Sequence, residues 1–351
     1  MRAKNLSAGS QRDEAGDGSA KLRDLLRLAA DLRGVWAFVA VFLIGVIFTP
    51  RSLTTGRPIF LTAQTQADIL FEYAEYGILA AGMTLVILAA GIDLSVGSVL
   101  GFVATLFSLL IIGYGWGPVP AIAVTVLAGL AAGAVSGFII ARFRMQPFVA
   151  TLAMMVAARG LAKLISGGIK VQPGGQPWYK IQSGTPEFYT WMTTSIKGIG
   201  VQPVTLLFLF VIVVLYILVK YTRFGRNLYA VGGNEEAARL SGVSVFWTKM
   251  AAYSLCGAMS ALAGISNAAR VELGDPESGS TYELDAIAAV VIGGTSLMGG
   301  RGGMFFTLVG TLIVAYINKI LSINNVEEAY RLLAKGAIIV VAVLIQQRKR
   351  D

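Results

Sequence analysis

The chain has 351 residues, of which 55% are hydrophobic and only 14% charged, with a mean hydropathy of +0.69. An average soluble domain carries about 25% charge, so a water-soluble globule is excluded, and the apolar content suffices for about ten spans of about 20 residues each. There is no histidine and a single cysteine, Cys256, which excludes a Cys/His metal cluster, an internal disulfide and histidine-based catalysis.

Residues 1–34 form a polar head, with Lys21, Arg23, Arg27 and Arg33 placed ahead of the first apolar run. A cleaved signal peptide also begins with a basic lead, but this lead is long and no small-x-small site follows Phe48-Thr49-Pro50. Val35–Phe48 is therefore expected to remain as the first span. Further spans are expected at about Ile69–Ala90, twice within Leu94–Ala141, and at Pro147–Ser166, Pro203–Val219, Lys249–Ala269, Ala286–Gly300, Met304–Leu321 and Leu332–Ile345. Leu94–Ala141 contains no charged residue and is too long for one helix. The run Gly113-Tyr-Gly-Trp-Gly-Pro-Val-Pro120 supplies the turn that splits it. Ala286–Gly300 is short and closed by glycines, and reads either as a span or as a re-entrant half-helix. The expected fold is all-α and polytopic, with about ten helices, a flexible head at 1–34, a membrane domain at 35–346 and a tail at 347–351.

The formal charge of +9 has a topological cause. With the N-terminus inside, the loops on the cytoplasmic side carry 18 of the 29 Lys and Arg residues, and those on the other side carry 6. That asymmetry follows the positive-inside rule, and both termini are expected in the cytoplasm. A basic chain explained this way needs no nucleic-acid partner.

No Gly-Lys dipeptide occurs, so no P-loop of the GxxxxGK[ST] type exists here and any ATP and Mg must be used by a partner chain. The cytoplasmic loop 220–249 is long enough to hold structure of its own. Asn234 suits an N-cap, Glu235 and Glu236 suit the positive end of a helix, and Gly242 suits its exit. The result is a short helix, Glu235–Ser241, including Arg239 and presenting Ala237, Ala238 and Leu240. It reads either as a docking surface for a soluble partner or as an ordinary solvated loop helix.

Two glycine-rich breaks interrupt the spans. In Gly91-Ile-Asp-Leu-Ser-Val-Gly-Ser98, Gly91 and Gly97 permit a backbone break and Asp93 can cap the helix that begins near Ser95. Either the break, with Ser98, lines or gates a conduit, or Asp93 is simply a cap; the cap accounts for Asp93 without a substrate. Gly293, Gly294, Thr295 and Ser296 open the second break, where close helix packing competes with contact to a transported molecule. A weak internal echo links Leu85–Gly97 with Ala289–Gly299. Glu72 and Glu75 share one helical face and Arg159 and Lys163 another, and charges at that depth call for pairing; cross-helix pairing of these two faces is the expectation, with a polar vestibule as the alternative. Lys319, Arg331 and Lys335 pair or snorkel. Trp178, Tyr179, Phe188, Tyr189 and Trp191 fit an interfacial belt or loop packing better than stacking on a ligand.

Four of these stretches together resemble a known family. Glu236-Ala-Ala-x-x-x-Gly242 is similar to the EAA-type coupling motif by which permeases of ATP-binding-cassette importers dock into their ATPases. Gly91–Ser98, Gly225-Arg-Asn-x-Tyr-Ala-Val-Gly-Gly-Asn234 and Gly293-Gly-Thr-Ser-x-Met-Gly-Gly-Arg-Gly-Gly303 resemble the branch that carries ribose, xylose, arabinose and related sugars. The resemblance covers about residues 35–346. It implies a non-catalytic permease subunit that binds no cofactor or metal of its own. It further implies a pore formed with a second permease chain, a homodimer, in membrane lipid. Two cytosolic ATPase domains would drive it by alternating access, and a periplasmic sugar-binding protein would deliver the sugar. Relatives that carry branched-chain amino acids or nucleosides are the alternative within the family. An ion-coupled secondary transporter is the alternative outside it, although the carboxylates crowd span ends and leave span centres free.

Overall fold

A computed structural model describes residues 33–52, 56–174 and 184–347. The expected head, apart from Arg33 and Gly34, lies outside the described residues, as do Trp178, Tyr179 and the tail beyond Gln347. The described chain is helical: α1 Arg33–Phe48, α2 Ala63–Glu72, α3 Ala74–Leu88, α4 Val96–Ser108, α5 Pro118–Phe143, α6 Pro147–Ser166, α7 Glu187–Thr193, α8 Pro203–Tyr221, α9 Arg223–Gly233, α10 Glu235–Leu240, α11 Val245–Val271, α12 Tyr282–Gly293, α13 Met304–Ile323 and α14 Glu328–Gln347. Pairing between extended segments among the described residues is limited to two isolated bridges, Arg51 with Pro58 and Val171 with Gly274.

Helical units stand at all ten positions read from the sequence. Five are long and apolar enough to cross a membrane, and six if α2 and α3, bent by 50° at Tyr73, count as one. The others fall short for visible reasons. The apolar part of α1 is brief, α11 is long but diluted by Ser254, Ser260, Ser266 and Asn267, α12 has only 12 residues, and α14 opens on Glu328, Arg331 and Lys335.

The core forms around α3 and α11. Every residue of α3 from Ala74 to Leu88 except Tyr76 is buried, so this helix has no water-facing stripe and is apolar nearly all round, with the polar Glu75 and Thr84 bonded to Arg270 and Thr307. The long α11 packs on α3, α4 and α5. Its contact with α5 is a glycine seam in which Gly129, Gly133 and Gly137 repeat at every fourth position. A Cβ at Gly129 or Gly133 would drive into the carbonyls of Gly257 or Tyr253. Small residues at this spacing let two backbones approach, which is how membrane helices associate without a hydrophobic driving force. At the edge, Phe38 and Phe42 of α1 close on Phe60 and Tyr316, fixing α1 to α13.

The buried charges pair, with partners other than those expected. Glu75, 2% exposed, accepts from Arg270 at 2.8 Å, Asn267 at 3.0 Å and Tyr282 at 3.2 Å, and Glu72 pairs with Lys319 at 2.8 Å. Arg159 instead donates to the carbonyls of Pro276 and Ser278, and Lys163 pairs with Glu277 at 2.6 Å. The sequence pairing of Glu72 and Glu75 with Arg159 and Lys163 is thus corrected: helical spacing shows which residues share a face, not which helix that face meets. Arg270→Met leaves the Glu75 carboxylate buried without its cation, and stranding one member of a buried pair costs about 3–5 kcal/mol. We expect a marked fall in the unfolding temperature of the detergent-solubilised protein, largely restored in Glu75→Gln/Arg270→Met. Equal stability of the single and double variants would refute this role for the pair.

The entry to α12 positions the site. After α11 the chain turns back beside α4. The backbone at Gly274 lies against Ser108 and Ala104, that of Ser278 against Gly101, and that of Gly279 against Gly97. From Ser108 to Gly97 this descent along α4 is about 16 Å, at 1.5 Å per helical residue. Only then does α12 begin, and its 12 residues make about 18 Å, too short for a hydrocarbon layer of about 30 Å. The expected unit Ala286–Gly300 is thus a helix shorter than a span, entered by a non-helical stretch that runs along α4.

Candidate functional site

The short helix of the 220–249 loop is α10. The Asn234 side chain accepts from the backbone N–H of Ala237 at 2.9 Å, capping it, and Gly242 leaves it with φ +82°, a left-handed conformation that a side chain resists. Ion pairs brace its exposed side, Glu236 with Arg239 and Glu235 with Lys249 of α11, each at 2.6 Å. Leu240 is 80% exposed and Ala237 is exposed beside it, but Ala238 is buried at 5%. The expectation that Ala237, Ala238 and Leu240 share one outward face is corrected. In a six-residue helix positions 237 and 238 are about 100° apart, so Ala238 anchors the helix while Ala237 and Leu240 face outward. Trp247, 64% exposed, adds a second apolar group at the start of α11.

α9 ties this helix to both glycine-rich breaks. The carbonyl of Leu88, at the end of α3, accepts from the Gly300 backbone N–H at 3.1 Å. Gly232 lies against that same carbonyl and against Gly300 so closely that a Cβ would overlap both. Gly299 abuts Ala90 and the Gly232 carbonyl. Tyr229, on the same face of α9, donates its hydroxyl to the Gly302 carbonyl at 2.8 Å. Burial raises the Tyr229 phenol above its usual range, which keeps the proton it donates. The end of α3, the loop 294–303 and the last turn of α9 therefore meet in one backbone joint. Both stretches that echo each other in sequence pass through it, the first at Leu88 and Ala90 and the second at Gly299.

Within the first break, Ala90 takes φ +59° and Gly91 is held against the Tyr253 hydroxyl. Asp93 is 1% exposed and accepts from the Ser95 N–H at 2.9 Å and the Ser95 hydroxyl at 2.6 Å. Asp93 thus fastens the residue that opens α4. Gly97 faces away from the joint, toward Gly279, and Ser98 lines a cleft between α4, α6 and the start of α12. In the second break Gly294 turns the chain at φ +112°. The Thr295 hydroxyl accepts from Gly303 N–H at 3.3 Å and that of Ser296 from Met298 N–H at 3.3 Å. Gly293 packs against Phe306 and Gly34. The structure therefore divides the sequence candidates. Gly293, Gly294, Thr295 and Ser296 shape the joint, Gly91, Asp93 and Ser95 hold the break beside it, Gly97 packs on Gly279, and Ser98 belongs to the separate cleft.

Because Asn retains the acceptor oxygen that Ser95 needs, Asp93→Asn is expected to assemble normally and to transport within about threefold of the parent, a difference below 1 kcal/mol. Asp93→Leu, which lacks the acceptor, should lose far more. Abolished uptake by a well-assembled Asp93→Asn would show that the charge itself matters.

Sequence reading missed Tyr229 and Leu88 as parts of the joint. The Gly225–Asn234 motif contained the signal for Tyr229, but a carbonyl such as that of Leu88 has no side-chain signature. Among the described residues no group of three or more His, Cys, Asp or Glu converges.

Comparison with known proteins places the chain. Residues 65–343 match the family described as the permease component of the branched-chain amino acid transport system. The ribose import permease RbsC of Escherichia coli K12 is 38% identical over 315 residues, covering 90% of this chain and 95% of the relative. RbsC of Bacillus subtilis 168 is 39% identical over 312 residues, 89% and 92%. The xylose transport permease XylH of Escherichia coli K12 is 34% identical over 336 residues, 81% and 85%. No solved structure matches. A family match over most of its length, joined to relatives aligned nearly end to end, shows that this all-α membrane chain belongs to the family of transport-system permease components that includes the ribose and xylose permeases.

Proposed function

We propose that the chain is the permease subunit of an ATP-binding-cassette importer for a monosaccharide in the bacterial inner membrane. It works as a homodimer in lipid and receives its sugar from a periplasmic binding protein. ATP and Mg belong to a cytosolic ATPase, and this chain contributes coupling rather than catalysis. The kinship to ribose and xylose permeases supports the sugar. α5 and α6 bury only 28% and 22% of their most apolar stretches inside one chain, leaving faces for lipid and for the second copy.

The observation that carries the reading is the joint. α10 offers Leu240 outward, while α9, immediately before it, is seated on the end of α3 and on the loop between α12 and α13. A displacement of α10 by the ATPase is thereby delivered to two breaks at once. Coupling requires the ATPase to bind the inward-facing and outward-facing arrangements with different affinity, and a joint made mainly of backbone atoms transmits that difference stiffly. The test is whether a cytosolic ATPase co-purifies with the chain and cross-links to Leu240→Cys placed in a Cys256→Ser background. A permease that folds and inserts but does neither would contradict the reading.

A further inference from the structure

A cleft of roughly 470 Å³ opens between α4, α6 and the start of α12. Ser98, Arg159, Lys163, Ser280, Thr281 and Glu283 give it a polar wall, and Met155, Val156 and Gly160 an apolar one. Pockets for small molecules commonly have about 300–1,000 Å³ and a few convergent polar groups.

Three features set this cleft apart from a gap between helices. First, its charges balance. Lys163 is neutralised by Glu277, and Arg159, held by the Pro276 and Ser278 carbonyls, stands beside Glu283, whose carboxylate is in no salt bridge among the described residues. A neutral ligand suits this better than an anion such as a lipid phosphate. Second, donors and acceptors alternate. The guanidinium only donates, the carboxylate only accepts, the hydroxyls of Ser98 and Thr281 do both, and that of Ser280, which donates to the Glu277 carbonyl at 2.8 Å, is left as an acceptor. Neighbouring hydroxyls of a polyol offer the matching pattern, and a C–H face suits Met155 and Val156. Third, Thr281 stands at φ +69°, a strained conformation for a β-branched residue that costs about 1–3 kcal/mol and clusters at ligand sites. At the N-cap position of α12 its hydroxyl makes no capping bond.

We infer that this cleft is where the permease contacts the passing sugar, with Glu283 and Arg159 as hydroxyl-binding groups and α12 as its moving wall. The inference rests on the proposed function and adds a place to it. α12 begins at the cleft, with Glu283 in its first turn, and ends at Gly293 beside the joint. A shift of the 294–303 loop therefore reaches the cleft through a single rigid rod of about 18 Å.

The test uses the complete transporter, permease with ATPase and binding protein, in proteoliposomes. Glu283→Gln keeps size and shape but replaces the acceptor-only carboxylate. Sugar uptake should fall about tenfold or more, equivalent to about 1.4 kcal/mol or more in the rate-limiting barrier, with the permease still inserted and assembled with its ATPase. Independently, Met155→Cys in a Cys256→Ser background should react with a small charged thiol reagent, and D-ribose or D-xylose should slow that reaction while L-leucine should not. Uptake by Glu283→Gln at the parental rate, or a labelling rate indifferent to both sugars in a transporter that pumps them, would overturn the cleft and leave the importer intact. Protection by leucine alone would overturn the sugar as ligand. A parent transporter with no ATP-dependent sugar uptake would overturn the importer reading and this inference with it.

Discussion

Leu240→Asp is expected to release the partner ATPase while the permease stays folded and inserted. Leu240 is 80% exposed, so within this chain its side chain contributes little and the substitution should barely move the unfolding temperature. At a docking contact the balance reverses. An apolar anchor worth about 1.5–3 kcal/mol when buried is replaced by a carboxylate whose unpaired burial costs several kcal/mol. With 1.4 kcal/mol equal to about a factor of ten, affinity for the ATPase should drop at least about a hundredfold. The measurement is co-purification of the ATPase together with uptake. Two neighbours sharpen it. Ala238→Glu should damage the helix itself, since Ala238 is buried at 5% within the chain. Glu235→Gln should do little, because its pairing with Lys249 leaves Glu235 half exposed and surface pairs contribute about 0–1 kcal/mol. Normal ATPase recovery with Leu240→Asp would remove α10 as the docking helix.

The second large effect is expected at one of two adjacent glycines. A Cβ at Gly232 would overlap the Leu88 carbonyl and the Gly300 nitrogen. Both are backbone atoms, unable to yield by a rotamer change. Overpacking of this kind costs about 1–3 kcal/mol and sometimes more. Gly233, one residue on, has open space where its Cβ would lie. Gly232→Val should therefore abolish transport, and Gly232→Ala should already impair it. Gly233→Ala should transport normally. Sugar-stimulated ATP hydrolysis and uptake, compared at equal membrane expression, would separate coupling from stability: the joint predicts hydrolysis that no longer drives uptake. Equal behaviour of Gly232→Ala and Gly233→Ala would show that the close approach is not needed.

Much of this architecture was legible in the sequence because it depends on local chemistry. Pro147 and Ser166 bound α6 as read, Asn234 and Gly242 bound α10, and the Gly113–Pro120 turn divides the long apolar stretch. Each is a backbone signal that acts within a few residues. What was not legible depends on which surfaces meet. Helical spacing placed Glu72 and Glu75 on one face but did not reveal that Lys319 and Arg270 lie opposite. The outward side of a helix of less than two turns could not be fixed from Ala237 and Ala238, which differ by a single position. The glycines at 129, 133 and 137 were a readable packing signal, repeating every fourth residue, that went unused. The joint itself is written in carbonyls and amides, and a sequence shows those only indirectly, as glycines.

The central claim, an ATP-driven importer coupled through α10, is tested most directly by uptake of labelled ribose or xylose into proteoliposomes containing the permease, its ATPase and the loaded binding protein. ATP and Mg, or an ion gradient alone, would be supplied as the only energy source. The account predicts accumulation with ATP and Mg, none with the gradient, and loss of the ATP-driven signal in Leu240→Asp. Accumulation driven by the ion gradient without ATP, undiminished by Leu240→Asp, would contradict it.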